Sequence, residues 1–129
     1  MTPLRVHHVA LWVADLERMH RFYVSVLGGT SSPLYENPRT GLRSYFVTFA
    51  DCRIELMWRA RRQESRADPG ALGFAHVAMS AGTRAGVDAR IAELRRAGVA
   101  VVGEPRVTGD GYYEATIEDP EGNRIEIVG

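Results

Sequence analysis

Apolar and polar residues alternate along VHHVALWV at 6–13, the two-residue period of a half-buried strand. From Asp15 the period lengthens. Leu16, Met19, Tyr23, Val26 and Leu27 form one stripe of an amphipathic helix, with Asp15 as its N-cap and Gly28 and Gly29 as its stop. The stretch TSSPLYENPRTG is turn-rich and has room for one short strand, and RSYFVTF and CRIELMW then read as a hairpin broken at Ala50 and Asp51. Residues 59–72, RARRQESRADPGAL, are polar and interrupted by Pro69 and Gly70, which predicts a linker. Alternation resumes in GFAHVAMSA. A helix capped by Thr83 follows to Ala97, with Val87, Ile91 and Leu94 on one face and Gly98 ending it. AVVGEPRV, YYEATIED and NRIEIV are three more strands, the last two joined by the turn DPEG at 119–122.

The two halves repeat each other. HVAL at 8–11 answers HVAM at 76–79, RIEL at 53–56 answers RIEI at 124–127, and SYFVTFAD aligns with YYEATIED. His8 to His76 spans 68 residues and Glu55 to Glu126 spans 71, a difference assigned to a longer second hairpin turn. The expected architecture is α+β: one domain over 1–129, built of two βαβββ modules at about 5–58 and 73–129, pairing into a cupped mixed sheet with helices on its outer face.

Strand alternation also sorts the polar residues. Val9, Leu11 and Val13 oppose His8; Ile54, Leu56 and Trp58 oppose Glu55; Val77 and Met79 oppose His76; Ile125 and Ile127 oppose Glu126. With the apolar faces on the helices, His8, Glu55, His76 and Glu126 are left to line the concave side together, two donors from each module. Two neutral imidazoles and two carboxylates balance a dication and suit nickel, zinc, cobalt, manganese or iron. The same alternation turns Phe46, Thr48, Tyr112, Glu114 and Thr116 toward the cup, with a solvated edge strand as the plainer account of Tyr112 and Glu114. His7 falls on the face opposite His8, and His20 is expected at the surface or partly buried.

Composition narrows the chemistry. Acidic and basic residues balance at 16 each, so no polyanion or acidic membrane is an expected partner. Every basic residue is arginine, which excludes a lysine Schiff base. Cys52 is the only cysteine, ruling out an intramolecular disulfide and a thiolate-rich metal site, and it has no base in sequence reach. The opening residues lack a signal-peptide pattern and no stretch nears 18 apolar residues, which predicts a cytoplasmic protein. Arg59, Arg61, Arg62 and Arg66 read as a solubilising linker.

HHVALWVADLERMHRFYVSVLGG, RIELMW, GFAHVAMS and EDPEGNRIEIVG together resemble the vicinal oxygen chelate superfamily, which includes glyoxalase I, methylmalonyl-CoA epimerase, extradiol dioxygenases, fosfomycin-resistance enzymes and bleomycin-binding proteins. The resemblance spans nearly the whole chain and implies a homodimer. The His, Glu, His, Glu order is most similar to bacterial glyoxalase I. It implies one divalent metal per site, with Glu126 as the base that moves a proton beside a metal-polarised carbonyl and Glu55 as the second carboxylate. The glutathione anchors of that enzyme are missing: Trp12 stands where an arginine is expected, Arg59 where an asparagine is, and RVTGDGYY holds no lysine. Trp12 is then a pocket wall or interface packing, and Arg59 an anion contact or a solvated residue. The expected activity is a metal-dependent lyase or isomerase acting on a small vicinal-oxygen substrate other than a glutathione adduct. The alternatives are an iron-dependent extradiol-type dioxygenase and a non-catalytic binder of an aromatic compound, with Trp12, Phe46 and Tyr112 as walls.

Overall fold

The alternating segment at the start becomes a strand only over Val9–Trp12 (β1) in the computed structural model, which describes residues 1–61, 68 and 70–129. Contacts divide the chain into two units, Met1–Glu64 and Ser65–Gly129. The architecture is α+β, with one mixed sheet in each unit. Among the described residues no helix is long and apolar enough to cross a membrane. Half of the predicted linker, including Arg62 and Arg66, lies outside the described residues.

In the first unit Asp15 caps α1 (Leu16–Arg21) by accepting the Arg18 N–H at 3.0 Å. The helix then widens into a π turn over Phe22–Val26, where the Leu27 N–H reaches the Phe22 carbonyl at 3.0 Å. That extra residue corrects the predicted stripe. Phe22 and Tyr23 are both buried, while Val26 and Leu27 are only half-buried. Gly28, at φ +84°, ends the helix, and Gly29 passes so close to β4 that a Cβ would collide with Val47 Cγ1. Two short strands follow where one was expected, β2 (Thr30–Ser31) and β3 (Tyr35–Glu36), and both pair with β4 (Arg43–Thr48). β5 (Arg53–Trp58) lies between β4 and β1, antiparallel to the first and parallel to the second. Val13, Leu16, Met19, Tyr23, Val47, Ile54 and Leu56 form the core beneath α1. His20 stacks on Tyr45 at 4.0 Å between centroids and meets Ser31 Oγ at 2.8 Å, while Tyr45 donates its hydroxyl to Glu17 at 2.9 Å.

The second unit runs β6 (Val77–Ser80), α2 (Arg84–Arg96), β7 (Ala100–Val107), β8 (Tyr113–Glu118) and β9 (Arg124–Val128), in sheet order β6-β9-β8-β7. Thr83 Oγ1 accepts the Gly86 N–H at 3.0 Å, and Val87, Ile91 and Leu94 are buried as their spacing requires. The turn into β9 is tied by Asp119, whose Oδ1 accepts from the Glu121 and Asn123 N–H groups. Register shifts in β7 flank Gly103 and Pro105.

Hairpin register corrects the repeat alignment. Thr48 pairs with Arg53 in the first unit and Glu118 with Arg124 in the second, so Ser44 corresponds to Glu114 and Phe46 to Thr116. The direct alignment of SYFVTFAD with YYEATIED is therefore two residues off. The second hairpin turn is longer by a single residue, and the other two extra residues enter ahead of β8. An even shift leaves every side chain on its expected face, which is why the facing pattern survives the misalignment.

Candidate functional site

His8 and His76 each sit one residue before a strand, β1 and β6, while Glu55 and Glu126 lie inside β5 and β9. Parallel pairing sets Ala10 opposite Glu55 and Ala78 opposite Glu126, so each histidine is two residues upstream of its glutamate's partner and on the same face. Small alanine side chains leave that face open. His8 Nε2 lies 3.6 Å from Glu55 Oε1, and His76 Nε2 lies 3.2 Å from Glu126 Oε2. The repeat thus builds one His–Glu pair in each unit. Among the described residues no group of three or more His, Cys, Asp or Glu side chains gathers to hold a metal.

Within each pair the donor spacing is that of neighbouring ligands on a metal. With metal–nitrogen and metal–oxygen bonds of about 2.0–2.2 Å, neighbouring ligand atoms in a tetrahedral or octahedral shell stand roughly 3 to 3.5 Å apart. Both pairs are close to that range, and the longer one exceeds an ordinary hydrogen bond. The histidine side chains are 36% and 41% exposed and the glutamates 15% and 21%, so each pair has a wet nitrogen and a more sheltered carboxylate.

The surroundings of the two pairs differ. In the first unit Phe46 pairs with Glu55 across β4 and β5, meets the His8 ring edge-to-face at 5.2 Å between centroids, and is covered by the Arg53 guanidinium at 4.3 Å. Thr48 is exposed on the same face, opposite Arg53. Trp12 is 47% exposed, with the Arg59 guanidinium 4.1 Å from its ring centre, so Arg59 is a stacking partner of the tryptophan rather than a freely solvated linker residue. His7 departs from the predicted face. Its Nδ1 meets the Nδ1 of His8 at 2.9 Å, because β1 begins only at Val9 and strand alternation does not extend back to residue 7. One of these nitrogens donates to the other, which fixes His8 with Nε2 toward Glu55.

In the second unit Thr116 pairs with Glu126, and Glu114, two residues earlier, shares their face. Glu114 is 8% exposed on β8, a strand flanked by β7 and β9, so the solvated-edge account of it does not hold. Tyr112 fits that account better, being 58% exposed ahead of β8. Burial, and then a hydrogen bond with Glu114, hold the Glu126 carboxyl above the usual carboxylate range, while His76 and Arg106 pull it the other way. Arg106 was not singled out by the sequence pattern. Its Nη1 approaches the Glu104 and Glu114 carbonyls at 3.3 and 3.4 Å, an arrangement set by the irregular register of β7.

Comparison with known proteins agrees with this architecture. The family model described as Glyoxalase/Bleomycin resistance protein/Dioxygenase superfamily matches residues 5–127. The chain is 32% identical over 130 residues to the lactoylglutathione lyase of Salmonella typhimurium, covering 97% of this chain and 92% of that one. It is 38% identical over 53 residues to the mitochondrial methylmalonyl-CoA epimerase of Mus musculus, a match limited to 41% of this chain and 30% of the epimerase. The crystal structure of a glyoxalase family protein from Enterococcus faecalis superposes with a TM-score of 0.83 at 22% identity, covering 97% of each chain, and is a likeness of fold.

Proposed function

The chain belongs to the Glyoxalase/Bleomycin resistance protein/Dioxygenase superfamily, and on that premise we propose that it is a metal-dependent lyase or isomerase whose small substrate binds through two vicinal oxygens, without glutathione. The observation that carries this reading is the repeat-related His–Glu pair in each unit, with nitrogen and oxygen at the spacing of neighbouring metal ligands. The proposed metal ligands are His8 and Glu55 in the first unit and His76 and Glu126 in the second. These nitrogen and oxygen donors suit nickel, zinc, cobalt, manganese or iron. The metal, when bound, would draw electron density from a substrate carbonyl and so acidify the neighbouring C–H.

Glu126 is the proposed base. It faces the same open side of its sheet as His76, 3.2 Å away, where a carboxylate can take a carbon-bound proton and return it to the adjacent carbon. Glu55 is the second carboxylate, paired across the hairpin with Phe46. Trp12 and Arg59 form an aromatic, cationic platform in the first unit where the glutathione-using enzymes carry a different pair. That substitution is the ground for a substrate other than a glutathione adduct.

Metal analysis of freshly purified protein, followed by titration of the stripped protein with nickel and zinc, tests the centre. About one metal per site and a loss of affinity in Glu126→Gln are expected; unaltered affinity in that variant refutes it. The sedimentation behaviour of metal-loaded and metal-free protein reports whether a homodimer accompanies binding. Assay with methylglyoxal and a panel of thiols tests the substrate: turnover with glutathione contradicts the reading of Trp12 and Arg59.

A further inference from the structure

We propose that Glu114 is a specificity-determining residue of the Glu126 half-site, accepting a hydrogen bond from a hydroxyl or N–H that the substrate carries next to its chelating oxygens. The proposal rests on the reading of Glu126 as part of a metal centre and adds to it a requirement on the substrate. Its basis is a vacancy in hydrogen bonding. Among the described residues Glu114 Oε2 is the one buried side-chain polar atom without a partner. Native proteins rarely leave such an atom unmatched, so it calls for a partner from outside the chain.

The neighbours of Glu114 explain why the protein itself does not satisfy that oxygen. Glu126 faces the same side of the sheet, and as a carboxylate it accepts hydrogen bonds and can offer Glu114 at most one shared proton. Arg106 is the nearby cation, but its Nη1 lies against the Glu104 and Glu114 backbone carbonyls. Thr116 stands between Glu114 and Glu118 along β8, and its Oγ1 lies 3.1 Å from where a Cβ on Gly103 would be, so it is turned toward β7. The first unit has Ser44 at the corresponding register position, also buried, with its hydroxyl absent from the unmatched atoms. The demand for an external donor therefore belongs to one half of the repeat.

The chemistry that answers it is a small molecule with two vicinal oxygens for the metal and a donor on the adjoining atom, such as an α-hydroxy carbonyl compound or a hydroxamate. A pair of probes isolates the donor: acetohydroxamic acid, which keeps an N–H beside its two chelating oxygens, and N-methylacetohydroxamic acid, which does not. Both are titrated calorimetrically into the nickel-loaded full chain, with nickel affinity measured separately. The wild type should prefer the N–H probe by about tenfold or more. Glu114→Leu, titrated at saturating nickel so that any change in metal affinity is read separately, should bring that ratio close to one. Should the leucine variant not fold, Glu114→Gln is read instead, and its weaker amide acceptor should lower the ratio severalfold. Nickel binding with no probe preference in the wild type, or an unchanged ratio in either variant, overturns the role of Glu114 alone. Failure of the wild type to bind nickel at all overturns the metal centre and this inference with it.

Discussion

Replacing Glu126 by glutamine should separate folding from metal binding, because the two respond in opposite directions. In the metal-free protein the Glu126 charge is opposed by burial and by the adjoining Glu114 carboxyl, with His76 at 3.2 Å and Arg106 as the compensating groups. A glutamine of the same shape can accept from His76 and donate its amide N–H to Glu114, so the stripped variant should unfold within about 1 kcal/mol of wild type or above it. Metal reverses the order. A ligand that binds only the folded state at 100 times its Kd adds about 2.7 kcal/mol, which for a chain of this size raises Tm by roughly 10 °C. Losing a direct ligand should weaken binding at least as much as the roughly 100-fold reached when outer partners are lost. At the same metal concentration the variant would then gain only about 0.4 kcal/mol, or one to two degrees. Differential scanning calorimetry of stripped protein, with and without nickel, measures both arms. An equal nickel shift in wild type and variant, or a stripped variant melting more than about 4 °C low, would show that Glu126 serves the fold rather than a metal.

Leu56, fully buried in β5 beside Glu55, should cost about 2–5 kcal/mol when replaced by alanine, read as a lower urea midpoint with an unchanged slope. Thr83→Ala removes the cap from α2 and should cost about 1 kcal/mol, with loss of helical dichroism concentrated early in the melt. Tyr45 is held above its ordinary 10.0 by burial and by its hydrogen bond to Glu17. Because the folded value is the raised one, the stabilisation is complete below pH 10 and fades as pH rises through the folded value. Phenolate absorbance should therefore show two late-titrating tyrosines, Tyr45 and Tyr113, whose hydroxyl donates to Asp88, and one of them should disappear in Tyr45→Phe; no change between the two proteins would refute the contact.

Helix α2 was legible because Val87, Ile91 and Leu94 obey one period between a capping threonine and a stop glycine, with nothing competing. The four candidate ligands were legible for a related reason: a polar residue among β-branched neighbours, repeated at matching places, is hard to assign to packing alone. What escaped notice depends on where a regular period stops. His7 was assigned by alternation one residue beyond the point where β1 begins, and the structure instead places its ring against His8. Phe22 was missed because a π turn moves it from the flank of the helix into the core. Glu114 read as solvated because a carboxylate on an amphipathic strand usually is; its burial follows from β8 being an inner strand, a fact of topology that no local pattern carries. Arg106 depends on the irregular pairing around Gly103 and Pro105, where side-chain direction ceases to follow residue parity.

The π turn in the first helix also bears on how this chain should be edited. A five-residue hydrogen-bonded turn is what an α-helix becomes when it accommodates one residue too many, and Phe22–Val26 occupies that place while α2 has no counterpart. The exposed Ser25 lies within that turn, so the surplus residue can be removed there without deleting a buried side chain. A chain shortened there should regain ordinary helical winding and lose the simultaneous burial of Phe22 and Tyr23. The length of this helix is therefore a setting on the core beneath it, adjustable one residue at a time.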